Sequence, residues 1–311
     1  MILAIAILCA VAGIALVIWG ADKLTSGAVG VAERMRIPQM TIGLTIVAMG
    51  TSAPEFFVSL MSAIGGTPDL AVGNIVGSNI FNVMVITGVT ALVAPMAISR
   101  PTVRRDLPIA LVASMALMAI CADGQVTRLE SAALLVAFIA FMVYTVRTAG
   151  KGRAEDEETM APQALWKSIF FIVLGLACLI GGSHIFVDGA TTIARFLGVS
   201  DAVIGLTIVA GGTSLPELAT SLVAARKGNS AIAIGNVIGS NVFNIMMIVG
   251  VTGVICPMRI EGVTMVDMGV MVISSFMLWT FSYTRLTVER WEGAVLAGGY
   301  AAYLWWLIGQ I

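Results

Sequence analysis

IGLTIVAMGTSAPE at 42–55 recurs as IGLTIVAGGTSLPE at 204–217, 162 residues further along the chain. The same shift places AVGNIVGSNIFN at 71–82 on AIGNVIGSNVFN at 233–244. Over 41–90, 29 of 50 positions are identical to their shifted counterparts. A fixed offset of this kind indicates an internal duplication, and two copies are too few for a solenoid, which needs three or more repeats.

The composition is too apolar for a soluble domain. Hydrophobic residues make up 59% of the 311 residues, charged residues only 11%, and the mean hydropathy is +0.99. Soluble domains have about 25% charged residues. We therefore expect a polytopic membrane protein with the lipid bilayer as its surroundings. A soluble enzyme and a disordered module are excluded, and the net charge of −1 provides no basic surface for nucleic acid.

Ten stretches are long and apolar enough to be membrane spans, which need roughly 20 residues each. We predict an all-α membrane protein with ten transmembrane helices at 1–22, 38–64, 70–97, 107–123, 129–147, 166–187, 200–225, 231–257, 264–283 and 291–309. The domains are a first repeat, 1–149 (spans 1–5), a linker, 150–165, and a second repeat, 166–311 (spans 6–10). Because each half has an odd number of spans, the halves cross the membrane in opposite directions, as in alternating-access carriers with inverted repeats.

Basic residues are unevenly distributed among the gaps between spans. The gaps after spans 1, 3, 5, 7 and 9, together with the span ends at Arg147 and Lys167 that border the central linker, hold 14 of the 17 Lys and Arg residues. Since Lys and Arg collect on cytoplasmic loops, these gaps are predicted to be cytoplasmic. We expect a multi-pass protein of the cell membrane (plasma or inner), with both termini outside and the 150–165 linker in the cytoplasm.

Spans 2 and 7 each contain a helix breaker in the middle of the apolar run. Pro54 and Pro216 lack the N–H that a helix interior needs, and their rings clash with the carbonyl four residues back. Backbone carbonyls at 48–51 and 210–213 are therefore predicted to turn away from the helix axis. Since an unpaired carbonyl is costly in hydrocarbon, broken helices of this kind line a cavity or an ion site.

One residue after each proline comes a glutamate. Glu55 and Glu217 are the only acidic residues in the interior of any predicted span, away from its ends, where an isolated carboxylate costs about 2.5 kcal/mol or more. A twofold axis relating inverted halves would bring the two carboxylates together. Carboxylates, carbonyls and hydroxyls suit Ca²⁺, which takes 6–8 oxygens, and also Na⁺. The motifs lack His and Cys, which argues against zinc or copper.

Spans 3 and 8 each carry a polar stripe on an otherwise apolar helix. Ser78 and Asn82 are four residues apart and share a helix face, as do Ser240 and Asn244. Two interpretations remain open for such residues, because Ser and Asn in membrane helices also serve as interhelical hydrogen-bonding partners. Matched glycines in spans 1 and 6 are likewise compatible with either a sliding face or static packing.

The motifs GTSxPE and GNxxGSNxFN, each present twice in inverted halves, resemble the α-repeats of the calcium/cation antiporter superfamily, and within it the prokaryotic sodium/calcium exchangers. The resemblance covers the whole chain. It implies a cavity of four cation positions between spans 2, 3, 7 and 8, with Ca²⁺ and Na⁺ as transported substrates and no cofactor. It also implies no enzymatic activity, and no obligate protein partner is evident.

Matching positions carry the family's cation ligands onto this sequence. The resemblance implies that Glu55 and Glu217 bridge the central positions. The other implied ligands are Thr51, Thr213, Ser52, Ser214, Ala48, Ala210, Ser78, Ser240, Asn82 and Asn244. Potassium-dependent relatives carry Asp where this chain has Asn244. The neutral Asn244 lowers the negative charge of the cavity, which predicts transport without potassium.

Three other functions fit parts of the sequence. A proton/calcium antiporter on the same fold is the main alternative, although proton-coupled relatives usually carry a different α-motif. A passive cation channel could also use glutamates, but one chain holds only two of them in the interior of its predicted spans. An intramembrane hydrolase would need a base beside its nucleophile, and the single histidine, His184, lies on a different span from the motifs.

Overall fold

The computed structural model describes residues 2–149, 164–198, 208 and 210–309, and all of its long elements are helices. In chain order they are α1 (Ile2–Met35), α2 (Gln39–Thr51), α3 (Ala53–Ile64), α4 (Pro68–Val93), α5 (Thr102–Asp123), α6 (Arg128–Ala149), α7 (Leu165–Phe196), α8 (Ala210–Thr213), α9 (Leu215–Arg226), α10 (Ser230–Ile255), α11 (Met265–Arg285) and α12 (Arg290–Ile308). Most of the predicted 150–165 linker lies outside the described residues.

Seven helices within the described residues are long and apolar enough to cross a membrane. The pair α2 and α3, bent by 47° at one residue, would make an eighth span. The start of the predicted span 200–225 lies outside the described residues, and α12, which covers the predicted span 291–309, begins with charged side chains and is less apolar. The all-helical membrane fold is therefore confirmed, and the count of ten stays a prediction.

Helix α1 runs well beyond its predicted end at residue 22, to Met35. The extension is amphipathic, because small buried residues such as Gly27, Ala28 and Gly30 continue the packed face while Arg34 lies exposed at the end. Hydropathy detects only the part of a helix that lies in hydrocarbon, so it stops at the first charged residues. The predicted span 166–187 is extended in the same way, to Phe196 in α7.

Helices α1 and α7 pack against each other in antiparallel directions through their backbones. A Cβ atom on Gly20 would lie 2.8 Å from the carbonyl oxygen of Gly175, and one on Gly175 would lie 2.7 Å from that of Gly20. Gly13 approaches Gly182 in the same way, seven residues away along each helix. Glycine is required at these positions because any side chain would separate the two backbones.

Two short antiparallel ladders connect the two halves of the chain. Strand β1 (Met96–Ala97) pairs with β4 (Thr287–Val288), and β2 (Gln125–Val126) pairs with β3 (Met258–Arg259). Shifting by 162 residues turns β1 into β3 and β2 into β4. The two ladders are therefore equivalent under the duplication.

The centre of the molecule is formed by α4 and α10, the helices that contain the second repeated motif. In their apolar 18-residue windows, 72% and 78% of the residues are buried, against 17% for α1. Helix α3 packs on α4, and α9 packs on α10. The described parts of both copies of both motifs therefore lie in the interior, surrounded by the outer helices.

Candidate cation-binding site

A helix break sets the position of the first glutamate. Ser52 has φ −82° and ψ 9°, and it separates α2 from α3. Pro54 occupies the first turn of α3, where its missing N–H costs nothing. Glu55 follows in the same turn, so its carboxylate lies near the positive end of the α3 dipole.

The second copy repeats this arrangement. Ser214 has φ −90° and ψ 7° and separates α8 from α9, whose first turn contains Pro216 and Glu217. Both breaks therefore have the same backbone geometry, as the repeated sequence predicts.

The two glutamates are buried and joined by crossed hydrogen bonds. Each has a relative exposure of 1%. Ser52 Oγ donates to Glu217 Oε1 at 2.7 Å, and Ser214 Oγ donates to Glu55 Oε1 at 2.9 Å. Each half of the chain thus supplies a carboxylate and the hydroxyl that binds the other half's carboxylate. The structure brings these four residues into one cluster.

Side chains from α4 and α10 complete this cluster. Ser214 Oγ lies 3.3 Å from Ser78 Oγ, and Thr51 Oγ1 donates to Asn236 Oδ1 at 3.1 Å. Thr213 lies beside Glu55, and Ser240 lies beside Glu217. Polar groups from both repeated motifs and from both halves therefore face the same small volume.

Several buried oxygens of this cluster find no hydrogen-bond donor within the described part of the chain. They are Glu55 Oε2, Glu217 Oε2, Asn82 Oδ1, Asn244 Oδ1 and Ser240 Oγ. A buried polar atom left without a partner costs about 1–3 kcal/mol, and more if it is charged. A group of such oxygens around two carboxylates is the ligand set that a hard cation needs. The residues present therefore fit Ca²⁺ or Na⁺ as cargo.

Asn82 and Asn244 occupy matching positions in the two halves but differ in their contacts. Asn82 Nδ2 donates to Asn241 Oδ1 at 3.0 Å, which leaves the Asn82 carbonyl oxygen free to accept or to ligate. Neither side-chain atom of Asn244 has a hydrogen-bond partner among the residues described. Both side chains are neutral, so the two glutamates are the source of formal negative charge in this cluster.

Asn74 and Asn236 bind the broken helices through two serines that the repeated motifs do not include. Asn74 Nδ2 donates to Ser59 Oγ at 2.9 Å and to the Glu55 carbonyl at 3.3 Å. In the second half, Asn236 Nδ2 donates to Ser221 Oγ at 3.0 Å and to the Glu217 carbonyl at 3.2 Å. The signal was available, because Ser59 and Ser221 are identical under the 162-residue shift.

Ala48 and Ala210, which the family resemblance implies as ligands, are described by the structure to different extents. The Ala48 carbonyl accepts from the Ser52 N–H at 3.0 Å, so it remains part of the helical hydrogen bonding. Ala210 begins α8, but its side chain and most of the preceding residues lie outside the described part. Across the described residues, no group of three or more His, Cys, Asp or Glu side chains could hold a metal ion.

Comparison with known proteins gives matches over nearly the whole chain. The family described as "Sodium/calcium exchanger protein" matches twice, at residues 5–147 and 167–309. A relative named "Putative antiporter CaxA", from Alkalimonas amylolytica, is 40% identical over 96% of this chain and 97% of its own. "Inner membrane protein YrbG" of Escherichia coli is 35% identical over 99% of this chain and 98% of its own.

A named exchanger and a solved exchanger structure are also similar. "Sodium/calcium exchanger MaX1" of Methanosarcina acetivorans is 32% identical over 94% of this chain and 95% of its own. The structure of the sodium-calcium exchanger NCX_Mj soaked with Na⁺ and Sr²⁺ has a TM-score of 0.85 and 30% identity, and the match covers 97% of this chain and 98% of that one. The similarity therefore extends to the arrangement of the helices as well as to the motifs.

Proposed function

This chain belongs to the sodium/calcium exchanger family, and we propose that it is a secondary antiporter that exchanges Na⁺ for Ca²⁺ by alternating access. Membership confirms the resemblance inferred from the repeated motifs, and it makes the chain a cation transporter of the membrane rather than an enzyme. In this family Ca²⁺ and Na⁺ are transported substrates, and no cofactor takes part.

The crossed hydrogen bonds between the two halves carry the proposal. Ser52 binds Glu217 and Ser214 binds Glu55, so a cation between the carboxylates contacts both halves at once. One Ca²⁺ balances two carboxylates, and several Na⁺ can share the same oxygens. The Ca²⁺ and Na⁺ positions overlap, and the two carboxylates provide limited negative charge. Binding of Ca²⁺ therefore excludes binding of Na⁺ and the reverse, which gives exchange without any covalent step.

The proposed ligands are those that the motifs predict. Glu55 and Glu217 bind the cations directly. Their unpaired carboxylate oxygens, together with those of the two asparagines, support this assignment. The remaining ligands are backbone or side-chain oxygens of Thr51, Thr213, Ser52, Ser214, Ala48, Ala210, Ser78, Ser240, Asn82 and Asn244.

The proposed architecture is ten spans in two inverted repeats, with domains 1–149 and 166–311. Three features support it. The family matches the two halves separately, α1 and α7 are antiparallel, and the 162-residue shift exchanges the two β ladders. Inverted repeats give one protein two equivalent gates on opposite faces, which is the geometry that alternating access needs.

In the proposed topology the protein spans the plasma or inner membrane. Both termini lie on the external side, and the central linker lies in the cytoplasm. Contacts between loops agree with it. The ion pair of Asp22 with Lys227 joins the ends of spans 1 and 7, and the β1–β4 ladder joins the loops after spans 3 and 9. On the opposite face, Asp69 accepts from the Gly262 N–H at 2.8 Å, which joins the loops after spans 2 and 8.

The driving ion is tested with the purified protein in lipid vesicles. Vesicles loaded with Na⁺ and diluted into Na⁺-free medium containing Ca²⁺ should accumulate Ca²⁺. Sodium-free vesicles given a pH step should not. Uptake driven by the pH step alone would make the protein a proton/calcium antiporter, and uptake that needs no counter-ion would make it a channel.

A further inference from the structure

A cavity of about 350 Å³ lies away from the buried glutamates, at the end of α11 and the start of α5. It is lined by Arg100, Val103, Arg104, Tyr283, Thr284, Arg285 and Leu286, and we call it the basic cavity. Its volume is within the range of small-ligand sites. Three guanidinium groups around one cavity are suited to a tetrahedral oxyanion, because each offers a planar fork of N–H donors.

Two of the three arginines have no partner that would explain their position. Arg285 pairs with Glu289 Oε1 at 2.7 Å. Arg100 and Arg104 are exposed and make no hydrogen bond or ion pair within the described ranges. The neighbouring Arg105, in contrast, binds Asp106 at 2.6 Å and Thr148 at 3.0 Å. The basic cavity therefore has an excess of positive charge.

The three arginines of the basic cavity have no counterparts in the other repeat, although the backbone around them is repeated. The 162-residue shift pairs Arg100 with Gly262, Arg104 with Val266 and Arg285 with Asp123. The duplicated fold alone therefore does not require arginine at these positions. The charge is specific to one copy.

The wall of the basic cavity includes a leucine in an unfavourable backbone conformation. Leu286 has φ 55°, and its carbonyl accepts from the Ile98 N–H at 2.7 Å beside the β1–β4 ladder. The equivalent residue in the first half is Gly124, with φ 75°. A left-handed conformation costs a side-chain-bearing residue roughly 1–2 kcal/mol. The second half keeps an apolar side chain in the cavity wall despite this cost.

Aromatic side chains place the basic cavity at the level of the lipid headgroups. Tyr283 is 64% exposed, and Trp291 is 57% exposed with its ring 5.6 Å from that of Phe281. Exposed Tyr and Trp at the ends of membrane helices are typical of the membrane–water interface. A ligand at this level would have the arginines on its polar side and the apolar wall of the basic cavity on its other side.

We propose that the basic cavity binds the phosphate of an anionic phospholipid headgroup. Arg100 and Arg104 contact the phosphate, while Leu286 and the exposed ring of Tyr283 contact the glycerol end of the acyl chains. The topology proposed above would place this lipid in the cytoplasmic leaflet, but lipid binding itself depends only on the basic cavity. It is independent of the identity of the coupling ion.

The test is native mass spectrometry of the full chain titrated with phosphatidylglycerol or phosphatidylcholine in detergent. The wild type should prefer phosphatidylglycerol, and the double variant R100Q/R104Q should bind it roughly thirty-fold more weakly, since each basic residue near the lipid contributes about fivefold. The control R34Q/R226Q removes two exposed arginines from the same proposed face, outside the basic cavity, and should stay within about twofold of wild type.

Equal losses in the two double variants would mean general attraction to a basic face and would overturn the proposal. So would wild-type affinity in R100Q/R104Q. Inorganic phosphate is the second probe, added to protein in zwitterionic detergent. The proposal expects it to leave the melting temperature unchanged while phosphatidylglycerol raises it. A rise with phosphate and none with phosphatidylglycerol would assign the basic cavity to a soluble anion instead.

Discussion

Replacing Gly175 by alanine should weaken the contact between α1 and α7. The added Cβ would lie 2.7 Å from the Gly20 carbonyl oxygen and 2.6 Å from the Leu24 nitrogen. Ordinary Cβ contacts begin at 3.4 Å, so the two backbones must separate locally by about 0.7 Å. Both neighbours are backbone atoms, which cannot move aside as a flexible side chain can. Overpacking of this kind costs about 1–3 kcal/mol.

Gly181 on the same helix provides a matched control, because a Cβ there would meet nothing within 4 Å. Gly181→Ala should be neutral or stabilise the helix by up to about 1 kcal/mol. Thermal unfolding of both purified variants measures the difference, with Gly175→Ala expected roughly 2–10 °C below wild type. Sodium-driven Ca²⁺ uptake should fall in Gly175→Ala if α1 and α7 move during transport. Identical melting temperatures for the two variants would refute the close backbone packing.

Three further predictions concern charge, topology and symmetry. Asn244→Asp adds a third carboxylate, so potassium or pH sensitivity of Ca²⁺ flux should appear in the variant; a parent protein that requires potassium would contradict the charge count. In a cysteine-free background, an impermeant thiol reagent should label Glu261→Cys from outside intact cells and should not label Arg36→Cys; the reverse pattern would invert the topology. Ser52→Ala and Ser214→Ala each remove a hydrogen bond to a buried carboxylate, so Ca²⁺ uptake should fall by similar factors, roughly tenfold or more; a strong inequality would contradict their equivalence.

The duplication made the centre of the molecule predictable. Repeated motifs at a 162-residue offset predicted one polar cluster with paired glutamates. The helix breaks at Ser52 and Ser214 follow from local chemistry, because proline cannot continue a helix hydrogen-bond pattern. The structure has both breaks with nearly the same backbone angles.

Other features depend on contacts between distant segments and could not be predicted from local patterns. The crossed bonds from Ser52 to Glu217 and from Ser214 to Glu55 need the relative position of two halves of the chain. The strands β1 and β4 are two residues long, which is too short for an alternating pattern to be recognised. The end of α1 at Met35 was missed because packing, rather than hydropathy, maintains the helix beyond the membrane.

The most direct test of the cation site is Ca²⁺ uptake by Glu55→Gln and Glu217→Gln in sodium-loaded vesicles. Each variant removes half of the formal negative charge at the cluster while keeping the size of the side chain, so both should insert normally and lose Ca²⁺ transport. Glu33→Gln, at an exposed glutamate near the end of α1, is the matched control and should transport like wild type. Near wild-type uptake by either Glu55→Gln or Glu217→Gln would contradict the assignment of the site.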